Sequence, residues 1–452
     1  MNYQEYAEYR EKFVEMVDEK RLTELKNILA DLNVVDTAEI IEDMEDTYLL
    51  ICFRMLAKEK GAEVFSFMEP YDQKRIINKI NNSELEEILD ELDFDDMIDI
   101  LEEMPANVVT KVLQKSTPEE RTEINKFLMY DKNSAGSIMT IEYVSLKRDW
   151  TVAEALDHIK EFGKDKEIIY TCYVESEYKQ LLGFVSLRTL VVADKDALIN
   201  DIMETDLVYF STSDDKEEVA QAFTRYGYIA IPVVDREHRL CGIITFDDVM
   251  DIVEDEATED IHKMAAINPS EDEYLDQTPW QLAKNRIPWL LILMISATLT
   301  SGIITKYNFI LSQFLILSSF IPMITDTGGN SGSQSSTVVI RAIATGEIGL
   351  RDGVAVIFKE FRVGVICGVV LSAVNFLRLL IFTQADIKIS FLVSLTILCT
   401  VILSKLMGAI LPLFAERINL DPAIMASALI TTIIDSVVLV IYFGLASIIL
   451  AI

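Results

Sequence analysis

The last third of the chain consists of apolar stretches long enough to cross a bilayer, and the second of them has a polar interior. Mostly apolar runs occupy about 287–305, 309–340, 353–381, 389–415 and 422–451, and each reaches the roughly 20 residues that a membrane helix requires. Inside the second lies FIPMITDTGGNSGSQSSTVVIRAIATGE, Phe320 to Glu347, with Asp326, Asn330, Gln334, a line of hydroxyls, and glycines at 328, 329 and 332. Lipid offers such groups no partner, so they must face protein or a wet path. Gly328, Gly329 and Gly332 let backbones approach closely and leave carbonyls accessible. Asn330, Ser331, Ser333, Gln334 and Thr337 add neutral oxygens. A packing face of small residues is one reading; Asp326 in the same segment points to an ion path.

Charge divides the chain at the same place. After residue 280 there are 11 Lys/Arg and 8 Asp/Glu, which leaves 29 basic and 65 acidic residues in the first 280. A region this acidic disfavours nucleic acid as a partner and attracts cations. Lys284, Arg286, Arg341, Arg351, Lys359 and Arg362 mark one side of the membrane, and Lys306, Arg378 and Lys388 the other. This bias places the acidic N-terminal region in the cytoplasm of a multi-pass protein of the cell (inner) membrane. The start, MNYQEYAEYREKF, has no apolar core and does not read as a signal peptide. Five scattered cysteines argue against a disulfide framework and against zinc. Without a phosphate-binding glycine loop or a nucleophile–base pair, an enzyme is not expected.

The expected architecture is multidomain. Residues 1–133 read as short amphipathic helices such as LTELKNILADL and SELEEILDELDFDDMIDILEEM, an acidic all-α superhelix. Residues 134–253 hold two copies of an α/β unit, β-α-β-β-α, of about 60 residues each. Residues 254–280 form a connecting helix, and 281–452 an all-α transmembrane domain of five helices.

Two features carry chemistry. Asp435 lies near the middle of the last apolar run, with Thr431 and Thr432 one turn before it and no Lys or Arg in that span. A carboxylate there costs about 2.5–3.5 kcal/mol, so it serves either as a hydrogen bond to another helix or as a cation site. The membrane part lacks histidine, and its oxygen donors suit hard ions. Magnesium keeps several waters and takes one or two carboxylates. One Asp435 under-neutralises it, whereas two brought together across a two-fold axis would match. Proton-coupled exchange at Asp435 is the competing mechanism. The second feature is FDDVMDIVEDEATEDIHKM, where Asp248, Asp251, Asp255 and Glu259 share one helix face, flanked by Glu256 and Asp260. Asp95 and Asp99 form a smaller patch. Like charges at this spacing must be solvated or bridged by cations.

Residues RIPWL (286–290), IPMITDTGGNSGSQSSTVVIRAIATGE (321–347), GAILP (408–412) and LDPAIMASALITTIID (420–435) together resemble the MgtE magnesium channel family. The repeats, IPVVDREHRLCGIITFDD and CYVESEYKQLLGFVSLRT, are similar to tandem CBS modules, and the resemblance covers nearly the whole chain. It implies a homodimeric channel that imports Mg²⁺ down its electrochemical gradient through a pore at the dimer axis. Cytosolic Mg²⁺ bound between the N-domain, the CBS pair and a connecting "plug" helix would close it. By position, Asp435 would be the selectivity carboxylate and Asn330 a pore-lining neighbour, with Gly328, Gly329, Thr431, Thr432 and Ser427 beside them. Asp95 and Asp99 would belong to the N-domain side of the sensor, and Asp215, Glu217, Asp248, Asp251, Asp255, Glu256, Glu259 and Asp260 to the CBS and plug side. Asp421 would meet the plug. The chain departs from the family pattern at Ser427–Ala428, where a proline usually follows Asn or Gly, at Val438, a usual glycine, and at Gly227, where a sensor aspartate can occur. ATP is the further ligand such modules suggest, but Ser186-x-x-Thr189 lacks the usual ribose-binding aspartate, which only the second copy, Thr245-x-x-Asp248, retains. A cation-coupled secondary transporter and a non-transporting magnesium receptor are the alternative functions.

Overall fold

A computed structural model describes residues 3–450 except 90, 105, 271–273, 275, 276, 384, 385 and 426, with backbone alone for 3, 82, 86, 103, 107, 108, 111, 114, 115, 119, 165, 383, 427 and 428. The chain divides into two compact units, Met1–Val253 and Glu254–Ile452.

The first unit begins with short helices that each have one apolar face and must cover one another. Helix α1 (Tyr3–Asp18) packs on α3 (Val34–Glu42), α3 on α5 (Lys58–Ser66), and α5 on α7 (Asn82–Leu89). Between them, α2 (Leu22–Asp31) packs on α4 (Asp46–Met55), and α4 on α6 (Pro70–Ile77). Packing on the next helix but one is the pattern of a superhelix, with Phe13, Leu25, Ile41, Phe53 and Phe65 in its core. Three more helices follow, α8 (Phe94–Glu103), α9 (Ala106–Lys115) and α10 (Pro118–Phe127). The sequence T-P-E-E fixes the start of α10, through a reciprocal capping box between Thr117 and Glu120 and a proline in the first turn. Phe94, Ile98 and Leu101 of α8 leave the superhelix core and pack with Val219, Phe223, Ile244 and Val249 further along the chain. That contact brings the acidic edge of α8 to the second repeat.

Each repeat forms a three-stranded sheet. The first runs β1 (Tyr143–Lys147), α11 (Val152–Phe162), β2 (Ile168–Glu175), β3 (Leu181–Ser186) and α12 (Leu187–Val192), in the order β1-β2-β3. A short α13 (Ile199–Ile202) leads to the second, which runs β4 (Phe210–Ser211), α14 (Lys216–Tyr226), β5 (Ala230–Val234), β6 (Leu240–Thr245) and α15 (Phe246–Met264). In both sheets the first pair is parallel and the second antiparallel. The chain entering each repeat bonds to one of the antiparallel strands, Thr140 opposite Ile243 and Glu204 opposite Phe184. A Cβ at Gly183 would collide with the Glu204 carbonyl oxygen, and one at Gly242 with that of Thr140. The glycine common to LLGF and LCGI therefore exists for a backbone approach that each copy makes once.

In the second unit, α15 ends at Met264, short of the 280 expected for the connecting helix. Thr278 caps α16 (Pro279–Lys306) through a box with Gln281. Next come α17 (Asn308–Gln313), α18 (Ile321–Ala344), α19 (Gly353–Arg378), α20 (Ile387–Arg417) and α21 (Ser427–Leu450). Among the described residues, four spans are long and apolar enough to cross a membrane, Pro279–Lys306, Leu350–Phe382, Ile387–Arg417 and Pro422–Leu450. Helix α18 is a continuous 24-residue helix through its three glycines, about 36 Å long, but its polarity keeps it out of that set. It packs on both α20 and α21. A Cβ on Gly408 of α20 would overlap the fixed carbonyl oxygen of Gly332, whereas one on Gly332 would meet the movable methyl of Ile434. Gly408→Ala is therefore expected to cost about 1–3 kcal/mol or more, and Gly332→Ala less, as read by thermal unfolding in detergent. Equal costs would contradict this packing.

Candidate cation sites

Three separate segments of the first unit bring one carboxylate each to a common point. Asp95 is in the first turn of α8, Glu167 immediately precedes β2, and Asp248 is in the first turn of α15, with ligating oxygens all within 4.8 Å of one another. Thr245 Oγ1 donates to Asp248 Oδ2 at 2.5 Å, and Thr245 and Thr140 also bond to Glu167. Among the described residues, Asp95 Oδ1 and Glu167 Oε2 are buried without a hydrogen-bond partner.

The electrostatics follow from this crowding. Desolvation, then Glu167 and Asp248, pushes Asp95 up to about 9. Desolvation and Asp248 push Glu167 up to about 7. Burial raises Asp248 despite its bond to Thr245. On the same helix, desolvation raises Asp96 to about 6, while desolvation and then Asp96 and Asp248 raise Asp99, which stays open to solvent on one side, to about 7. The charges that weigh most on Asp95, those of Glu167, Asp248 and Asp96, are all negative. Buried carboxylates without counter-charge must take up protons or a cation, and an all-oxygen donor set suits Mg²⁺ or Ca²⁺. The residues fit the ion.

In the second unit, the polar segment has two faces. Gly328, Gly329, Ser331, Gly332, Ser335 and Ser336 are buried, while Asp326, Asn330, Gln334 and Thr337 form an exposed stripe at helical spacing. Position 329 faces Thr431, and position 328 faces Ile434, Thr400 and Val438. The glycines thus serve close approach, and Val438 fills the contact opposite Gly328. Asp435 is half-buried, with Oδ1 enclosed and without a hydrogen-bond partner among the described residues, and Asp326 lies within its electrostatic reach. Thr431 and Thr432 are half-buried a turn earlier on α21. The side chain of Ser427 lies outside the described residues.

Comparison with known proteins decides what this combination belongs to. Family models match as the MgtE intracellular N domain at 32–133, CBS domains at 135–196 and 199–255, and a divalent cation transporter at 321–445. The chain is 34% identical to the magnesium transporter MgtE of Thermus thermophilus over 94% of its own length and 95% of that protein. It is 30% identical to that of Bacillus subtilis over 98% and 97%. The chain belongs to the MgtE family of magnesium transporters. The crystal structure of the soluble part of a magnesium transporter aligns with 56% of this chain and 99% of that one, at TM-score 0.51 and 29% identity. The cytosolic domain of the Mg²⁺ channel MgtE in complex with ATP aligns with 54% and 99%, at TM-score 0.52 and 33% identity. An MgtE N domain, a tandem CBS pair and a helical membrane region make up the fold, and the N-terminal part is cytosolic.

Within this MgtE fold, the remaining expected residues separate. Asp99 and Asp251 border the three-carboxylate group and act on it or are acted on by it. Exposed Asp215 caps α14, accepting from the Glu217 amide at 2.9 Å, and Glu217 is exposed beside it. Gly227 ends that helix at φ +67°, a left-handed position that suits glycine better than an aspartate. Asp255 is exposed and Glu256 half-buried. Glu259 and Asp421 do come together, but around Lys263, whose ammonium bonds to both, to Asp421 at 2.6 Å. Burial works against the Lys263 charge, yet the bonds to Asp421 and Glu259 outweigh it and raise its pKa. Burial and Asp421 raise Asp260. Glu167 was missed from sequence. Its one signal was asymmetry between the repeats, since the strand register aligns it with Tyr226.

Proposed function

We propose that the protein is a homodimeric magnesium channel that imports Mg²⁺ down its electrochemical gradient and is closed by cytosolic Mg²⁺. The supporting observation is the exposed stripe Asp326–Asn330–Gln334–Thr337, whose Asp326 lies within electrostatic reach of Asp435, a residue with one enclosed oxygen that has no hydrogen-bond partner among the described residues. Read as a fifth membrane helix, α18 cannot turn that stripe to lipid. A second copy related by a two-fold axis would lay the stripe against its own image and supply the second Asp435 carboxylate. Neutral amides and hydroxyls would then contact the waters of a largely hydrated ion, and the paired carboxylates would balance its charge. Cross-linking tests the assembly in a chain without its five cysteines. Asn330→Cys should join two copies through a short bifunctional reagent, and Val370→Cys on the exposed side of α19 should not. Equal yields would contradict the shared path.

For closure, magnesium bound at Asp95, Glu167 and Asp248 would hold the N domain on the CBS pair. Loss of the ion would leave three mutually repelling carboxylates. At the plug, Lys263 supplies part of the neutralisation that a bound cation would give Glu259 and Asp421. Replacing Lys263 by glutamine should therefore raise the magnesium concentration for half-closure by about two- to fivefold, the worth of a partly exposed ion pair. Patch-clamp inhibition curves measure this, and an unchanged midpoint would contradict it. An adenine nucleotide finds weaker support, because Ser186 and Thr189 bond to each other at 2.8 Å and Asp248 is engaged with Thr245 and the acidic group. Coupling to protons or sodium is the second reading, favoured by the placement of Asp326 near Asp435.

A further inference from the structure

A lysine, a serine and a glutamate from three helices form one hydrogen-bonded chain in the interior of the second unit. Lys405 of α20 is only 5% exposed, and its Nζ donates to Ser335 Oγ at 3.3 Å. Ser335 of α18, also buried, donates to Glu360 Oε2 of α19 at 2.5 Å. Neither the ion path nor the acidic group described above uses these residues. Ser335 follows Asp326 by nine positions, half a turn around the helix, so the chain attaches to the back of the face that carries Asn330 and Gln334. It lies one turn from Gly408, where the α18 and α20 backbones touch. An ammonium inside a membrane bundle is costly unless paired, and here the pairing runs through the helix that bears the polar stripe.

We propose that Lys405 is a positioning residue for the ion path. Its bond to Ser335, backed by Glu360, fixes the rotation of α18 about its own axis and so the direction in which Asn330 and Gln334 point. A backbone contact between two glycines has no side chain to resist that rotation, and the Lys405–Ser335–Glu360 chain supplies the resistance. The consequence for transport rests on the channel reading; the clamp itself does not.

The test uses the full chain with its five free cysteines replaced by serine and Asn330→Cys added. The rate of modification by a cationic methanethiosulfonate in membranes is measured with Lys405 native, K405R, K405M, and K405M combined with E360Q. Magnesium flux is measured in parallel for the same Lys405 and Glu360 variants with Asn330 retained. The clamp predicts that K405M changes the modification rate about tenfold or more, that K405R restores most of it, and that K405M/E360Q does not. A native rate in K405M would overturn the proposal. So would full recovery in K405M/E360Q, because the lysine would then only neutralise Glu360. If K405M alone fails to assemble, the double variant, free of an unpaired carboxylate, still gives the decisive rate. Absence of magnesium flux in the native chain would remove the channel reading, while the modification rates would still decide the clamp.

Discussion

Replacing Asp435 by alanine reduces magnesium flux to that of protein-free vesicles, a loss of roughly a hundredfold or more. The protein still folds. The expectation rests on a carboxylate oxygen enclosed within the membrane unit, with no hydrogen-bond partner among the described residues, a state that is stable only when an ion or a proton completes it. Alanine removes that cost and with it the only charge on α21, so stability should hold or rise while transport ends. Asp326→Ala, changing an exposed residue of the stripe, should lower flux without abolishing it. Dye-loaded proteoliposomes report both. Native uptake in the Asp435 variant would remove this residue from the path.

The second large effect concerns the acidic group. A carboxyl whose pKa is raised on folding binds more protons folded than unfolded, so stability falls as pH rises past its unfolded value. For Asp95, Glu167, Asp96 and Asp99 the fall begins near pH 4 and ends at the folded values of about 9, 7, 6 and 7. Without divalent cations the cytosolic unit of the full-length protein should therefore unfold at a lower temperature at about pH 8 than at about pH 5.5. Saturating magnesium should remove most of that difference, since binding at a hundred times the dissociation constant adds about 2.7 kcal/mol. Neutralising Asp95, Glu167 and Asp248 together to amides should raise the metal-free stability, abolish the magnesium-dependent shift and leave the channel open at high magnesium. Thermal unfolding with chelator or magnesium, alongside patch-clamp, checks all three. An undiminished magnesium shift in the triple variant would place the sensor elsewhere.

What was legible in the sequence was whatever repeats or sits in an extreme environment. The helix periodicity of the N domain, the duplicated β-α-β-β-α unit and a lone carboxylate in an apolar run all announce themselves locally. Partnerships across distant segments did not. Glu167 reads as an ordinary charge before a strand until α8 and α15 place Asp95 and Asp248 against it. Lys405 reads as a stray charge in an apolar stretch until Ser335 and Glu360 are seen beside it. Acidic periodicity in α15 led to one continuous sensor face, whereas the fold divides it. Asp248 joins the half-buried three-carboxylate group, Asp251 and Asp255 are exposed, and Glu259 pairs with Lys263. A helix face shows which residues share a direction, but not what the rest of the chain brings opposite them.

Passive magnesium conduction past Asp435 can be read from flux into proteoliposomes without proton or sodium gradients. Uptake is expected to follow the magnesium gradient and the membrane potential alone, and to vanish in Asp435→Ala. Uptake that requires an imposed proton or sodium gradient would contradict it and establish a coupled transporter.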